Sequence, residues 1–243
     1  MFAYLRFELR RMIREPRILV FTVLMPVASY VVFTGFGNMT DEVNGLSIAA
    51  TIMVGIAGYG AIIGVLSLGS AVSVERTQGW LRQLRVTPLR PRAVVAVKAF
   101  TSTLIAIPSI IAVGIAGYVE HHIHLTLARW LLILVVMWVG TVPFALLGLA
   151  IGYALPPNVA SPASFVLFFS LSVLGGLLVP TVVFPSAMQR LAHALPSNRY
   201  AELGWRAATG HPPTTVGMAV LAGWTVLFAV LAAIAYRRSA ATR

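Results

Sequence analysis

The residues with the most evident chemical potential in this 243-residue chain are His121, His122 and His124, since imidazoles bind zinc or copper. Only Glu120 adds a carboxylate beside them, so the better reading is a solvated loop, and no metal site is expected. Other reactive constellations are missing. There is no G-x-x-x-x-G-K-[ST] to hold nucleotide phosphates, no G-x-S-x-G elbow, no H-E-x-x-H and no cysteine. The chain is therefore expected to be no enzyme by itself and to need no cofactor of its own.

One basic segment is chemically suggestive in another way. Residues 75 to 91 read ERTQGWLRQLRVTPLRP, which on a helix places Trp80, Leu81 and Leu84 on one face with Arg82 and Arg85 elsewhere. Pro88 and Pro91 then end the helix and turn the chain. Such a stripe suits a groove on a partner protein, although it could also rest on lipid headgroups.

The elements that position these residues are apolar runs. The sequence is 58% hydrophobic and 10% charged, where an ordinary soluble domain is about a quarter charged. Crossing about 30 Å of hydrocarbon takes roughly 20 apolar residues in a helix. Six runs meet that length, at about 18–37, 46–74, 93–119, 130–155, 160–179 and 214–236. The expected fold is an all-α integral membrane protein forming a single transmembrane domain over residues 1–243. The first run lacks a small-x-small cleavage site and reads as a retained span.

A net charge of +11 would point to nucleic acid in a soluble protein, but its placement here does not. With the amino terminus inside, 14 of the 18 Lys and Arg residues fall on the cytoplasmic side. Arg129, Arg190, Arg199 and Arg206 fall outside with all five histidines. Both termini are therefore expected in the cytoplasm.

Two segments are neither span nor plain loop. Residues 2–14 space Phe2, Leu5, Leu9, Met12 and Ile13 as an interfacial amphipathic helix would, or else form a basic flank that fixes topology. Residues 180–213 are broken by Pro180, Pro185, Pro196, Pro212 and Pro213 and fit two short helices, near 186–195 and 198–209. Neither could cross a bilayer, so an outer re-entrant or surface-lying hairpin is expected. Phe165, Phe168 and Phe169 are candidates for a substrate path, set against plain packing or lipid contact. Gly60-x-x-x-Gly64 and Gly148-x-x-x-Gly152 are candidate close-packing seams, and Pro26, Pro108 and Pro143 candidate kinks. The middles of the spans carry no carboxylate, histidine or basic residue, which removes the usual support for a proton or ion relay.

The combination of Glu75, Arg76, Gly79, Leu81, Leu84, Thr87 and Pro88 after the second span resembles the membrane permease subunits of type-2 ATP-binding-cassette (ABC) exporters, which include small bacterial drug- and antibiotic-resistance permeases. A second match runs through Gly175, Gly176, Leu177, Leu178, Val179 and Pro180, then Pro185, Leu191, Leu195, Pro196 and Tyr200. It looks like that family's entry into outer re-entrant helices. The likeness covers essentially the whole chain. One departure is that Trp80 and Arg82 stand where relatives more often have a small residue and an acid.

The resemblance implies a cell-membrane homodimer in which each chain docks a separate ABC ATPase subunit carrying ATP and Mg. Glu75, Arg76, Gly79, Trp80, Leu81, Leu84 and Pro88 would then couple to the ATPase, and Gly175, Gly176, Pro180 and Pro196 would shape the outer gate. The implied function is efflux of a hydrophobic or amphipathic small molecule such as a drug, antibiotic or lipid-like compound. Export of polysaccharide or lipid-linked glycan, a non-transporting sensor module and a secondary transporter are the alternatives.

Overall fold

A computed structural model describes Arg6 and residues 16–36, 39, 41–43, 45–78, 91–181 and 184–241. The expected helix over 2–14, apart from Arg6, and the expected contact residues Gly79, Trp80, Leu81, Leu84, Thr87 and Pro88 lie outside the described residues. Over the described residues the elements are α1 (Pro16–Thr34), β1 (Glu42–Val43), β2 (Leu46–Ser47), α2 (Ile48–Ser70) and α3 (Val72–Thr77). There follow α4 (Pro91–Leu104), α5 (Ala106–His121), α6 (Leu127–Gly140), α7 (Val142–Ala154) and α8 (Pro157–Leu174). The chain then forms α9 (Ser186–Ala194), α10 (Pro196–Thr209) and α11 (Thr215–Ala241). The protein is thus an all-α membrane protein but for one antiparallel pair of two-residue strands, Glu42–Val43 against Leu46–Ser47.

Among the described residues, five helical stretches are long and apolar enough to cross a membrane: Ile48–Thr77, Val94–His121, Leu127–Ala154, Pro157–Leu174 and Thr215–Ser239. The expected first span is represented by a shorter apolar stretch, Thr22–Thr34, within α1. Three of the long stretches are interrupted by a single non-helical residue. The breaks fall at Ala71, Ile105 and Thr141. Two of them lie just before Pro108 and Pro143, where the ring excludes a hydrogen bond to the carbonyl four residues back. The helix expected to begin at residue 46 begins at Ile48 instead, because Ser47 caps it by accepting from the Ala50 amide at 3.2 Å.

The second span, α2, is the hub. Over its most apolar stretch 78% of the residues are buried inside the chain, against 17% for the last span and 22% for Pro157–Leu174. Its glycines explain how neighbours approach so closely. A Cβ at Gly60 would lie 2.2 Å from Ser109 Oγ and 2.4 Å from Pro26 Cγ, and one at Gly64 would lie 2.6 Å from Thr22 Cγ2. Likewise a Cβ at Gly152 would meet the Gly69 carbonyl oxygen at 2.5 Å, and one at Gly148 would meet that of Leu66 at 3.0 Å. Both small-residue seams read from the sequence therefore join spans within one chain. The first holds α1 and α5 on α2, and the second holds α7 on α2.

Candidate functional site

Glu75 and Arg76 stand on α3, the short helix that continues the second span beyond the break at Ala71. Neighbours in a helix point about 100° apart, and these two charges reach different elements. Glu75 turns to α4, where its Oε2 pairs with Lys98 Nζ at 2.6 Å, the two side chains being 7% and 5% exposed. Arg76 turns to the end of α7, donating to the carbonyl oxygens of Tyr153 and, at 3.1 Å, Leu155. Carbonyls at a helix carboxyl end lack intrahelical partners and carry partial negative charge, so a guanidinium is well suited to them. Tyr153 in turn meets Tyr236 of α11 edge to face, with ring centroids 5.1 Å apart.

These contacts make one clamp across α3, α4, α7 and α11. An ion pair this deeply buried is held by geometry as much as by attraction, because each charge would be costly there without the other. Mechanically, a displacement of α3 must carry α4 and α7 with it or break a buried pair. In the sequence Lys98 is one of the 14 basic residues expected on the cytoplasmic side. Its acid partner lies 23 residues earlier on another helix, and no sequence spacing signals such a pair.

At the other end of the bundle the chain closes on itself largely through neutral contacts. After α8 it turns at Gly175 and Gly176, the latter with φ +81°, a left-handed conformation that suits glycine. Gly175 is buried against α10 so closely that a Cβ would lie 2.1 Å from Ser197 Oγ. Asn198 fixes the turn, its Nδ2 donating to the Gly175 carbonyl at 3.0 Å while its Oδ1 lies 3.1 Å from His193 Nδ1 on α9. Pro196 opens α10 at a position that needs no amide donor and is buried, whereas Pro180 is exposed. Of the four expected gate residues, Gly175 lies against Ser197 and Asn198 beside Pro196, while Gly176 faces Val179 and Thr181, which flank the exposed Pro180.

The α9–α10 hairpin is tied into the bundle along its length. Tyr200 is fully buried and meets Phe144 edge to face at 5.5 Å, Trp205 Nε1 donates to the Thr51 carbonyl at 3.1 Å, and Trp224 Nε1 donates to the Ala194 carbonyl at 2.9 Å. Glu202 is held by Arg199 Nη1 at 2.8 Å and by the Thr214 hydroxyl at 2.7 Å. Burial raises its pKa, but the bonds from Thr214 and Arg199 and the charges of Arg199 and Arg206 outweigh that, leaving it below the ordinary carboxylate value.

The candidate path aromatics separate. Phe168 is 1% exposed and packs on Tyr59 at 4.7 Å, while Phe165 and Phe169, 59% and 50% exposed, stack on each other at 6.4 Å on the outer face of α8. The histidines serve structure: His121 Nδ1 lies 3.2 Å from the Tyr30 hydroxyl, and His124 meets Tyr118 edge to face at 5.6 Å. Among the described residues, no three His, Asp or Glu side chains form a group that could hold a metal ion.

Comparison with known proteins bears on this arrangement. The ABC-2 type transporter family matches residues 1–203. A protein of Bacillus subtilis (strain 168) named "Putative transport permease YvfS" is 27% identical over 236 residues, which cover 96% of each chain.

Proposed function

Because the chain belongs to the ABC-2 type transporter family, we propose that it is the membrane-spanning subunit of an ATP-driven exporter moving a hydrophobic or amphipathic small molecule out of the cell. The family places it in a multi-pass membrane transporter and implies a partner ATPase subunit. The observation that carries the rest is the clamp at Glu75 and Arg76. It stands three residues before the segment 79–90 whose apolar stripe suits a partner's groove, and it leads from there into α4, α7 and α11.

In this reading each permease chain docks one ATPase, with ATP and Mg bound there and not here. Gly79, Trp80, Leu81, Leu84 and Pro88 form the docking surface, and both termini lie on the same, cytoplasmic side. Two permease chains pair, and closure of the ATPases pushes on α3. The clamp passes that displacement to three further helices, and the hairpin of α9 and α10 dips into the outer leaflet as a re-entrant cap over the path. The apolar spans favour an apolar cargo, since they offer no charged recognition group in mid-span. Drugs, antibiotics and lipid-like compounds are the cargo classes with that chemistry.

The reading is tested by co-purifying the chain with an ABC ATPase and following ATP-dependent efflux from cells. Leu84→Ala is expected to abolish docking, and Glu75→Gln to leave docking intact while efflux falls. Normal efflux in both variants would contradict the assignment. Efflux that persists without ATP and collapses with the proton gradient would favour a secondary transporter instead.

A further inference from the structure

The third and fourth spans do not close on each other along their length. They meet where Trp130 lies over Gly114, whose missing Cβ would stand 3.1 Å from the indole, and where Trp138 Nε1 donates to Thr103 Oγ1 at 3.2 Å. A cavity of about 260 Å³ opens in the seam between α5 and α6. Its floor is the hub helix, through Met53, Val54 and Ala57, each no more than 3% exposed. Its walls are Ile111, Ile115 and Leu131, each between 43% and 57% exposed, so the cavity opens sideways and not toward either end of the bundle.

Depth and chemistry limit what can fill it. From Ile110 to Tyr118 the wall runs eight residues, about 12 Å at 1.5 Å per residue, within the roughly 15 Å of hydrocarbon in one leaflet. Tyr118 and Trp130 stand at the end nearest the 122–126 loop, the depth at which amphipathic rings prefer to lie. The lining is otherwise aliphatic, with no polar cluster to hold water. Left empty, the walls would forfeit their dispersion contacts on one side. The surrounding solvent at that depth is lipid tails.

We propose that this seam between the third and fourth spans is a lipid site, occupied by one acyl chain of a bilayer phospholipid that packs against α2 and completes the bundle in the leaflet nearest the 122–126 loop. The site rests on the membrane placement of the chain and not on what it exports or on its ATPase partner. The chain packs as a side chain would, and its occupancy supports the hub helix from the side that α5 and α6 leave open.

The test places a photo-crosslinking benzoylphenylalanine at Ile111, at Ile115 and, as a control, at Val226, which is 63% exposed on α11. The full chain is reconstituted in vesicles of phosphatidylglycerol and phosphatidylcholine, and adducts are weighed by mass spectrometry. Phospholipid adducts are expected about fivefold more often at 111 and 115 than at 226, reflecting a chain held by packing on three sides. A retained phospholipid is also expected on the purified chain in detergent, and Ile111→Trp, which fills the cavity, is expected to release it while the protein stays folded. Equal labelling at all three positions would overturn the site, as would adducts joining 111 or 115 to a second copy of the chain. Retention of the same lipid by a folded Ile111→Trp variant would overturn it too.

Discussion

The two ends of the bundle are fastened by different physics. At the α3 end, full charges meet in a buried setting: Glu75 with Lys98, and Arg76 with the last carbonyls of α7. At the other end, a glycine turn is held by an amide side chain, close small-residue contact and tyrosine and tryptophan anchors. A buried ion pair tolerates little disruption, because removing one partner takes away the attraction that offsets the other's desolvation. Neutral hydrogen bonds and ring contacts can be exchanged for others at modest cost. The first arrangement suits a joint that transmits displacement, and the second suits contacts that can be released and remade.

Breaking the charged joint tests that contrast most severely. Lys98→Met alone is expected to destabilise the protein by about 3–5 kcal/mol, the usual cost of removing one partner of a buried ion pair, read as a lowered Tm in detergent. Combining it with Glu75→Leu is expected to restore most of that loss, since an apolar pair of similar volume carries no desolvation penalty. If the double variant is no more stable than the single one, the pair is not an isolated buried couple and the contrast weakens.

The neutral end should respond less. Gly175→Ala inserts a methyl group 2.1 Å from Ser197 Oγ and 2.5 Å from the Leu171 carbonyl oxygen, and overpacking of that kind costs about 1–3 kcal/mol. Asn198→Ala removes the bond to the Gly175 carbonyl and the contact with His193, for about 1–2 kcal/mol. Loss of the α9–α10 hairpin's protection from proteolysis, with the rest of the bundle intact, would locate both effects at this end.

The smallest effect is electrostatic. Glu202 has its pKa lowered in the folded protein, so its contribution is present above the carboxylate's unfolded value and is lost as pH falls through the lower folded value. The Tm difference between the wild type and Glu202→Gln should therefore shrink as the medium is acidified through the carboxylate range. A difference that grows on acidification would reverse the assignment.

Five of the six expected spans were legible because lipid demands long apolar runs, and among the described residues those helices follow the runs to within a few residues at most ends. The fifth ends earlier than expected, at Leu174, because the Gly175–Gly176 turn interrupts it. Phe165, Phe168 and Phe169 share a nominal helix face, yet at 100° per residue Phe168 sits about 60° and 100° away from the other two. That rotation is enough to bury one ring and expose two. The glycine seams were legible as seams, but which helix each one meets depends on tertiary packing. Lys98 was invisible as a partner for the same reason, and so was the cavity between α5 and α6, which exists only as a distance between two spans.

On the proposed function, Glu75 and Lys98 carry ATPase motion into the bundle. The chain contains no cysteine, so spin labels can be placed at Leu127→Cys and Leu191→Cys, both exposed at the end far from the clamp, without background. In the reconstituted complex with its ATPase, the distance between them should shift when ATP is added. In the folded Glu75→Leu/Lys98→Met variant, ATP should still be hydrolysed but the shift should vanish. An undiminished shift in that variant would contradict the account.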